Sequence, residues 1–192
     1  RIQAQREKIK FDFSTLDGYL ASLKMCIVIY KNDESLVPRK SQITQKTNQF
    51  NLTTRRYTEN EIRSMVLSSD YDIYSFLVKD RFGDSGITGL CIINKENNTA
   101  VIDSFLMSCR VIGRNIEYVF VDYLVNLLAN QGFKNLKSLY KNTKKNKQVE
   151  NFYDNCSFDL VNIDGPVKNY SLTLSRYRQS GIKYIEVKAG ER

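Results

Sequence analysis

Histidine is missing altogether from this 192-residue chain. Without an imidazole a histidine-based catalytic triad cannot be built and a zinc site is close to excluded, so no metal is expected. The four cysteines, Cys26, Cys91, Cys109 and Cys156, are scattered, with no Cys-x-x-Cys pair among them. Such spacing reads as reduced thiols in a cytoplasmic protein. No apolar run approaches the roughly 18 residues of a membrane-spanning helix and no signal-peptide pattern is present, so no membrane partner is expected. With only 2 prolines and 9 glycines, no internal repeat and no low-complexity stretch, the composition is that of one ordinary globular domain. A chain this long can hide roughly 70% of its unfolded surface, so it needs no disulfide or metal staple.

What the sequence has in excess is positive charge, a formal +8. A basic balance attracts nucleic acid, acidic membranes, phosphorylated cofactors or acidic proteins. Much of the excess lies in one run, where Lys134, Lys137, Lys141, Lys144, Lys145 and Lys147 gather. No recognition-helix pattern, RNP-like aromatic strand or set of finger ligands accompanies it, so no nucleic acid is expected. By itself such a run reads as a solvated basic face. The first ten residues, RIQAQREKIK, read as a charged helix entered partway along. Residues 1–23 are accordingly expected to be a helical linker from an upstream domain, and residues 24–192 to form the domain itself.

Hydrophobic patterning orders the elements. Lys24 to Tyr30 (KMCIVIY) is β-rich and apolar and predicts a first strand. After a loop over Lys31 to Pro38, the polar segment Ser41 to Phe50 predicts a helix. Thr58 is placed to cap a second helix, with Glu61 three residues on and a stripe of Ile62, Met65 and Val66. Strands are predicted at Ile73 to Val78 and Ile87 to Ile93, flanking a hairpin over Lys79 to Gly86. Further strands follow at Thr99 to Met107, Leu136 to Tyr140, Tyr170 to Leu174 and Tyr184 to Val187. The clearest helical spacing in the chain is Ile116, Val119, Phe120, Tyr123, Leu124, Leu127 and Leu128, stopped by Gly132. A shorter helix is predicted over Lys145 to Asn155. Strand, long helix and strand make one βαβ crossover, so the expected fold is α/β or α+β with a mixed sheet flanked by helices.

One junction could carry chemistry. Ser108-Cys109-Arg110-Val111-Ile112-Gly113-Arg114-Asn115 joins the strand ending at Met107 to the long helix. A strand-to-helix turn with a glycine and small polar residues points free N–H groups, and the positive end of the helix dipole, at whatever lies above it. A pyrophosphate suits that place, and Arg110 and Arg114 add charge there. Cys109 sits beside Arg110 at this helix start, and both features favour a thiolate nucleophile. The block Asn48, Gln49, Asn51, Thr53, Thr54, Arg55 and Arg56 has too many hydrogen-bonding groups for a core helix and reads as the lining of a polar cleft. Asp84 and Asp103 are weaker candidates for polar or proton-transfer roles.

This order of elements resembles the GNAT superfamily, whose fourth strand runs into a Q/R-x-x-G-x-G/A loop that binds the CoA pyrophosphate. Arg110 and Gly113 match that loop, while Asn115 stands where Gly or Ala is usual. A second GNAT signature, N-x-x-A-x-x-L/F-Y followed by G-F, is matched by Asn146, Phe152, Tyr153 and Phe158, with Val149 and Ser157 departing. The resemblance implies that Met107 to Asn115 (Cys109 aside) and Asn146 hold CoA or the phosphopantetheine of a carrier protein. It also implies that Tyr153 protonates the departing thiolate. More specifically, QKTNQFNLTTRRY from Gln45, DRFGDSG from Asp80 and FLMSCRVIGR from Phe105 resemble the FkbH-like proteins, from about Tyr19 to Phe158. That resemblance implies a GNAT-like acyltransferase domain behind a haloacid-dehalogenase-like phosphatase domain. It would move an acyl, possibly glyceryl, group onto an acyl carrier protein, with Cys109 and Tyr153 catalytic. Asn48, Gln49, Asn51, Thr53, Thr54, Arg55 and Asp84 would face the substrate. Two other readings stay open: a non-catalytic module that docks the carrier through its lysine face, and an acetyl-CoA-dependent N-acetyltransferase.

Overall fold

The computed structural model describes Phe13 and residues 15–190. The helix expected over Arg1 to Lys10 lies outside the described residues. Helix α1 (Leu16–Ser22) starts at Thr15, whose side chain accepts from the Gly18 amide, and buries Tyr19 and Leu20. Strand β1 (Met25–Lys31) follows, and a 3-10 turn (Glu34–Leu36) feeds helix α2 (Val37–Lys46). The helix expected over 41–50 is thus displaced toward the N-terminus. Pro38 sits in the first turn of α2, where its missing N–H is not needed, and Thr47 turns to extended backbone at the other end. Phe50–Asn51 forms the short strand β2 instead. Helix α3 (Glu59–Leu67) begins with the Thr58–Glu61 capping box that the spacing predicts.

Strands β3 (Tyr71–Asp80) and β4 (Gly83–Glu96) meet in a turn tighter than expected, with Asp80 paired to Gly83. β5 (Thr99–Met107), the long helix α4 (Ile116–Asn130) and β6 (Asn135–Lys141) complete the crossover, and β5 and β6 are parallel. The helix expected over 145–155 is broken into a 3-10 turn (Lys147–Val149) and the single turn α5 (Phe152–Asn155). Neither Asn146 nor Asn151 caps its turn with a side chain. Strand β7 (Asp159–Asp164) has no buried position and so carries no periodic signal, and it escapes the sequence reading. It pairs with β8 (Val167–Thr173), and β9 (Ile185–Ala189) closes the far side beside β1.

The sheet runs β7-β8-β6-β5-β4-β3-β1-β9, with β2 added to β5. Side chains alternate across it and build two cores. Tyr74, Phe76, Phe105 and Met107 face α1, α4 and α5, while Ile73, Leu77, Leu90 and Leu106 face α2 and α3. Gly89 lies in mid-strand because the Phe76 ring lies over it: a Cβ there would stand 1.9 Å from the ring. Among the described residues no helix is long and apolar enough to cross a membrane.

The sheet has a gap, and the chain fills it. β5 and β6 pair only where Thr99–Val101 faces Asn135–Lys137, and then part. Into the opening comes β2, with Phe50 opposite Met107 and Asn51 opposite Leu106. The Leu52 amide donates to the Phe105 carbonyl (3.2 Å), and the Lys141 amide donates to the Leu52 carbonyl (2.8 Å). The segment from Phe50 to Leu52 thus bridges the two parting strands with this chain's own backbone.

Candidate functional site

The junction between β5 and α4 does not behave as one site. Met107 and Val111 are fully buried in the core, so they are not cofactor contacts. Arg114 is also buried; its guanidinium pairs with Asp80 (3.3 Å) and donates to the Arg110 carbonyl (2.8 Å). Asn115 adopts the left-handed conformation (φ 63°) that glycine would otherwise supply, and its amide donates to the Tyr184 hydroxyl (2.7 Å). Ile112 and Gly113 (φ 78°) border one cleft, while Ser108, Cys109 and Arg110 border another.

The first cleft, about 470 Å³, lies on the α4 side of the sheet between Gly113, Tyr118, Lys147 and Phe152, with Phe50 also lining it. It also contains Glu117 and Glu150, and neither arginine of the junction lines it. Glu150 pairs with Lys168 (2.9 Å) and Glu117 is buried, while Lys147 is the one cation among the described lining residues. Beyond it, β2 occupies the opening between β5 and β6. Glu117 is the residue the sequence reading missed. It is 8% exposed and its Oε2 has no hydrogen-bond partner, in the first turn of α4. Burial pushes its carboxyl above the ordinary range, and its own backbone amide offsets part of this. The signal was present: Glu117 stands four residues before Val121 and seven before Leu124 on a stripe that is otherwise apolar.

That shift has a stability consequence. Below the ordinary carboxyl range, about pH 4, Glu117 is protonated in both states and a Gln in its place changes little. As pH rises the unfolded chain ionises first, so the native state loses stability until the buried carboxyl ionises too. Glu117→Gln should therefore raise Tm near neutral pH, with the gain fading toward pH 4. Melting curves of both proteins across that range check this, and a gain that did not vary with pH would contradict it.

The second cleft, about 450 Å³, opens on the α2 side and holds Cys109. Cys109 starts a three-residue 3-10 turn, Cys109–Val111, rather than the long helix, which begins seven residues on; its side chain is exposed. From α2, Arg39, Gln42 and Lys46 face it at i, i+3 and i+7, and Asn48, Gln49 and Arg110 complete the wall. No carboxylate lines this cleft. Arg39 Nε and Nη2 both donate to the Ile87 carbonyl (3.2 and 2.9 Å), which fixes the guanidinium. Its pKa is lowered by burial and then by the charge of Arg110. Arg110 Nε in turn donates to Ser108 Oγ (3.3 Å). Asn48 and Gln49 thus line the same cleft as Cys109.

The remaining expected residues scatter. Asn51 and Thr54 line a third cleft with Arg56 and Lys144. Thr53 is buried, its hydroxyl 3.1 Å from Ser104 Oγ. Arg55 pairs with Asp103, which also accepts from the Tyr57 hydroxyl (2.5 Å) and Ser104 (3.0 Å). Asp103 so satisfied is a structural anchor, on the edge of a fourth cleft that Arg55 shares with Leu139 and Val161. Asp84 sits near the hairpin, where it accepts from the Gly86 amide (2.6 Å), and it lines none of these clefts.

Asn146 and Tyr153 both lie in the interior. Asn146 is fully buried and works as a clamp: its amide donates to the carbonyls of Asn51 and Lys141 (both 2.9 Å). Its Oδ1 accepts from the Thr143 amide (2.8 Å) and Thr143 hydroxyl (2.9 Å). These bonds tie β2 to the end of β6. Tyr153 is 1% exposed, packed against Phe152, Phe158 and Tyr170, with its hydroxyl beside Ser138. Burial drives its pKa well above the ordinary phenol value. None of the four clefts described above has Tyr153 in its lining.

No protein-family model matches the sequence, and no curated protein matches it by sequence. Solved structures do resemble it in shape. The ribosomal-protein-S18-alanine N-acetyltransferase from Escherichia coli superposes with TM-score 0.60 at 12% identity, covering 82% of this chain and 99% of that one. PaiA N-acetyltransferase from Thermoplasma acidophilum, solved in complex with coenzyme A, gives 0.60 at 13%, covering 77% and 98%. The Salmonella typhimurium acetyl transferase that modifies the N-terminal serine of ribosomal protein L7/L12 gives 0.56 at 18%, covering 77% and 94%. At such identities the likeness establishes the fold, a central mixed sheet flanked by helices as in the GNAT N-acetyltransferases.

Proposed function

We propose that this chain is an acyltransferase domain in which Cys109 accepts an acyl group from a thioester and hands it to the phosphopantetheine thiol of an acyl carrier protein. The observation that carries the reading is the exposed Cys109 in a cleft with three basic side chains and no carboxylate. The strand gap is already closed by β2, so the thioester reaches the sulfur from the surface. In the first step the Cys109 thiolate attacks the thioester carbonyl, the C–S bond to the donor breaks, and the donor thiol leaves with the proton given up by Cys109. The carrier thiol reverses the sequence: its sulfur forms the new thioester and Cys109 regains a proton. Each step exchanges one thioester for another and needs no oxidant, reductant or metal.

The resemblance to the FkbH-like proteins supplies the rest of the reading: a glyceryl-type acyl group and a phosphatase-like partner domain upstream in the same chain. Lys137, Lys141, Lys144, Lys145 and Lys147 are all exposed and suit an acidic carrier, whose association should slow as salt rises. The burial of Tyr153 favours a second reading, a module that docks the carrier without chemistry. Acetyl-CoA-dependent N-acetylation draws support from the fold neighbours alone, and the closed gap counts against it.

The reading is tested by incubating the protein with a glyceryl thioester of N-acetylcysteamine and mapping the adduct by mass spectrometry. A glyceryl mass on the Cys109 peptide, lost again when holo carrier protein is added, is the expected result. Carrier loading with no protein adduct, or an adduct confined to another cysteine, would overturn it.

A further inference from the structure

We infer that the cleft between residues 47–56 and the turn 143–145 is a phosphate-ester subsite, which seats the phosphodiester of a phosphopantetheine arm while its thiol reaches Cys109 next door. The inference rests on the acyl-transfer reading above and adds to it where the arm lies. The loop motif would put the phosphate at the start of α4, but that cleft holds Glu117 and Glu150.

The third cleft, about 290 Å³, has the opposite character: Arg56, Lys144 and Lys145 face it, and no carboxylate does. Among the described residues none of these cations has an ion-pair partner. Arg56 is nevertheless held in place. Its Nη1 donates to the carbonyls of Thr44 and Gln45, and its Nη2 donates to Asn48 Oδ1 (2.6 Å). All three acceptors are neutral, so the guanidinium is oriented while its charge is left uncompensated. Three like charges turned toward one hollow repel each other, and a phosphate relieves that repulsion while taking charge-assisted hydrogen bonds.

Two further features tie the cleft to Cys109. Thr47 and Asn48 line this cleft and the Cys109 cleft alike, so the two adjoin. Thr54, also in the lining, has φ 59°, a conformation a β-branched residue rarely takes, and its amide is held by Asn51 Oδ1 (2.9 Å). Strain of this kind persists where the surroundings over-determine it, as they do around binding sites. The arm's phosphate would thus sit among Arg56, Lys144 and Lys145, and its chain would pass Asn48 toward the sulfur.

Calorimetric titrations of the whole chain with phosphopantetheine, dephosphorylated pantetheine, CoA and inorganic phosphate test the subsite. Phosphopantetheine should bind about tenfold or more tightly than pantetheine, the scale of one charge-assisted hydrogen bond. The Lys144→Gln/Lys145→Gln protein, altered only at exposed positions, should lose that advantage and bind pantetheine unchanged. Equal binding of phosphopantetheine and pantetheine by the unaltered protein would overturn the inference, as would a variant that weakens both ligands alike. CoA carries the same arm and should share the gain, whereas inorganic phosphate binding as tightly as phosphopantetheine would refute the arm as occupant. The Cys109 adduct experiment uses a donor without phosphate, so its outcome is independent. Failure there with phosphate discrimination intact sinks the transfer reading alone, and the converse sinks only the subsite.

Discussion

Cys109→Ser is expected to lower carrier loading by at least about a thousandfold, the scale of losing a covalent nucleophile. Serine keeps the shape but not the soft sulfur, and its alkoxide is not populated without a base at hand. No histidine exists to supply one. Because Cys109 is exposed, in a single 3-10 turn, the replacement should leave stability within about 0.5 kcal/mol. The pair of measurements is carrier mass after timed incubation and Tm of the two proteins. Transfer at the normal rate by the serine protein would remove the covalent step.

Phe50→Ala is expected to have the largest effect on stability. Phe50 is 1% exposed and meets Phe105 and Phe152 edge-on, each at 5.2 Å between ring centroids. Removing a buried phenyl ring costs about 3–5 kcal/mol once the cavity is counted. For a chain of this size that lowers Tm by roughly 6–20 °C. The loss should also loosen β2, so the Leu52 and Lys141 amides, which bind across it, should exchange faster than those of β3 and β4. A Tm within about 2 °C of the original would mean that the ring does not anchor the segment in the sheet.

These two residues are neighbours of motifs that the sequence displays openly, yet they were legible to different degrees. Cys109 stood out because Arg110 and a strand-to-helix junction flank it, and the structure keeps it exposed. Its expected helix N-terminus is absent, because Cys109–Val111 is a separate turn. Phe50 looked like one apolar residue in a polar block. That block reads as a cleft lining, and Asn48, Gln49 and Thr54 do line clefts. That Phe50 and Asn51 would add themselves to β5 depends on where β5 and β6 part, some 50 and 90 residues further along the chain. The surroundings of Asn146 were hidden for a related reason: its motif match says nothing about the carbonyls of Asn51 and Lys141 that claim its amide. Glu117 was visible as an acid on an apolar stripe, and the stripe was read without it.

Local rules, acting over a few residues, were enough for the elements and their order. The Thr58 cap, the 3.6-residue spacing from Ile116 to Leu128 and the β-branched runs determined a mixed sheet flanked by helices. The absence of histidine determined which chemistry could not be present. Which side of the sheet each polar group faces was decided only by the tertiary structure. Arg110 and Gly113 are three residues apart, yet they open on different clefts, and Arg114 is drawn inward by Asp80. The direction of a side chain at a turn, and the carboxylate or carbonyl that meets it, depend on strands brought together from distant parts of the chain, and no spacing along the sequence records that.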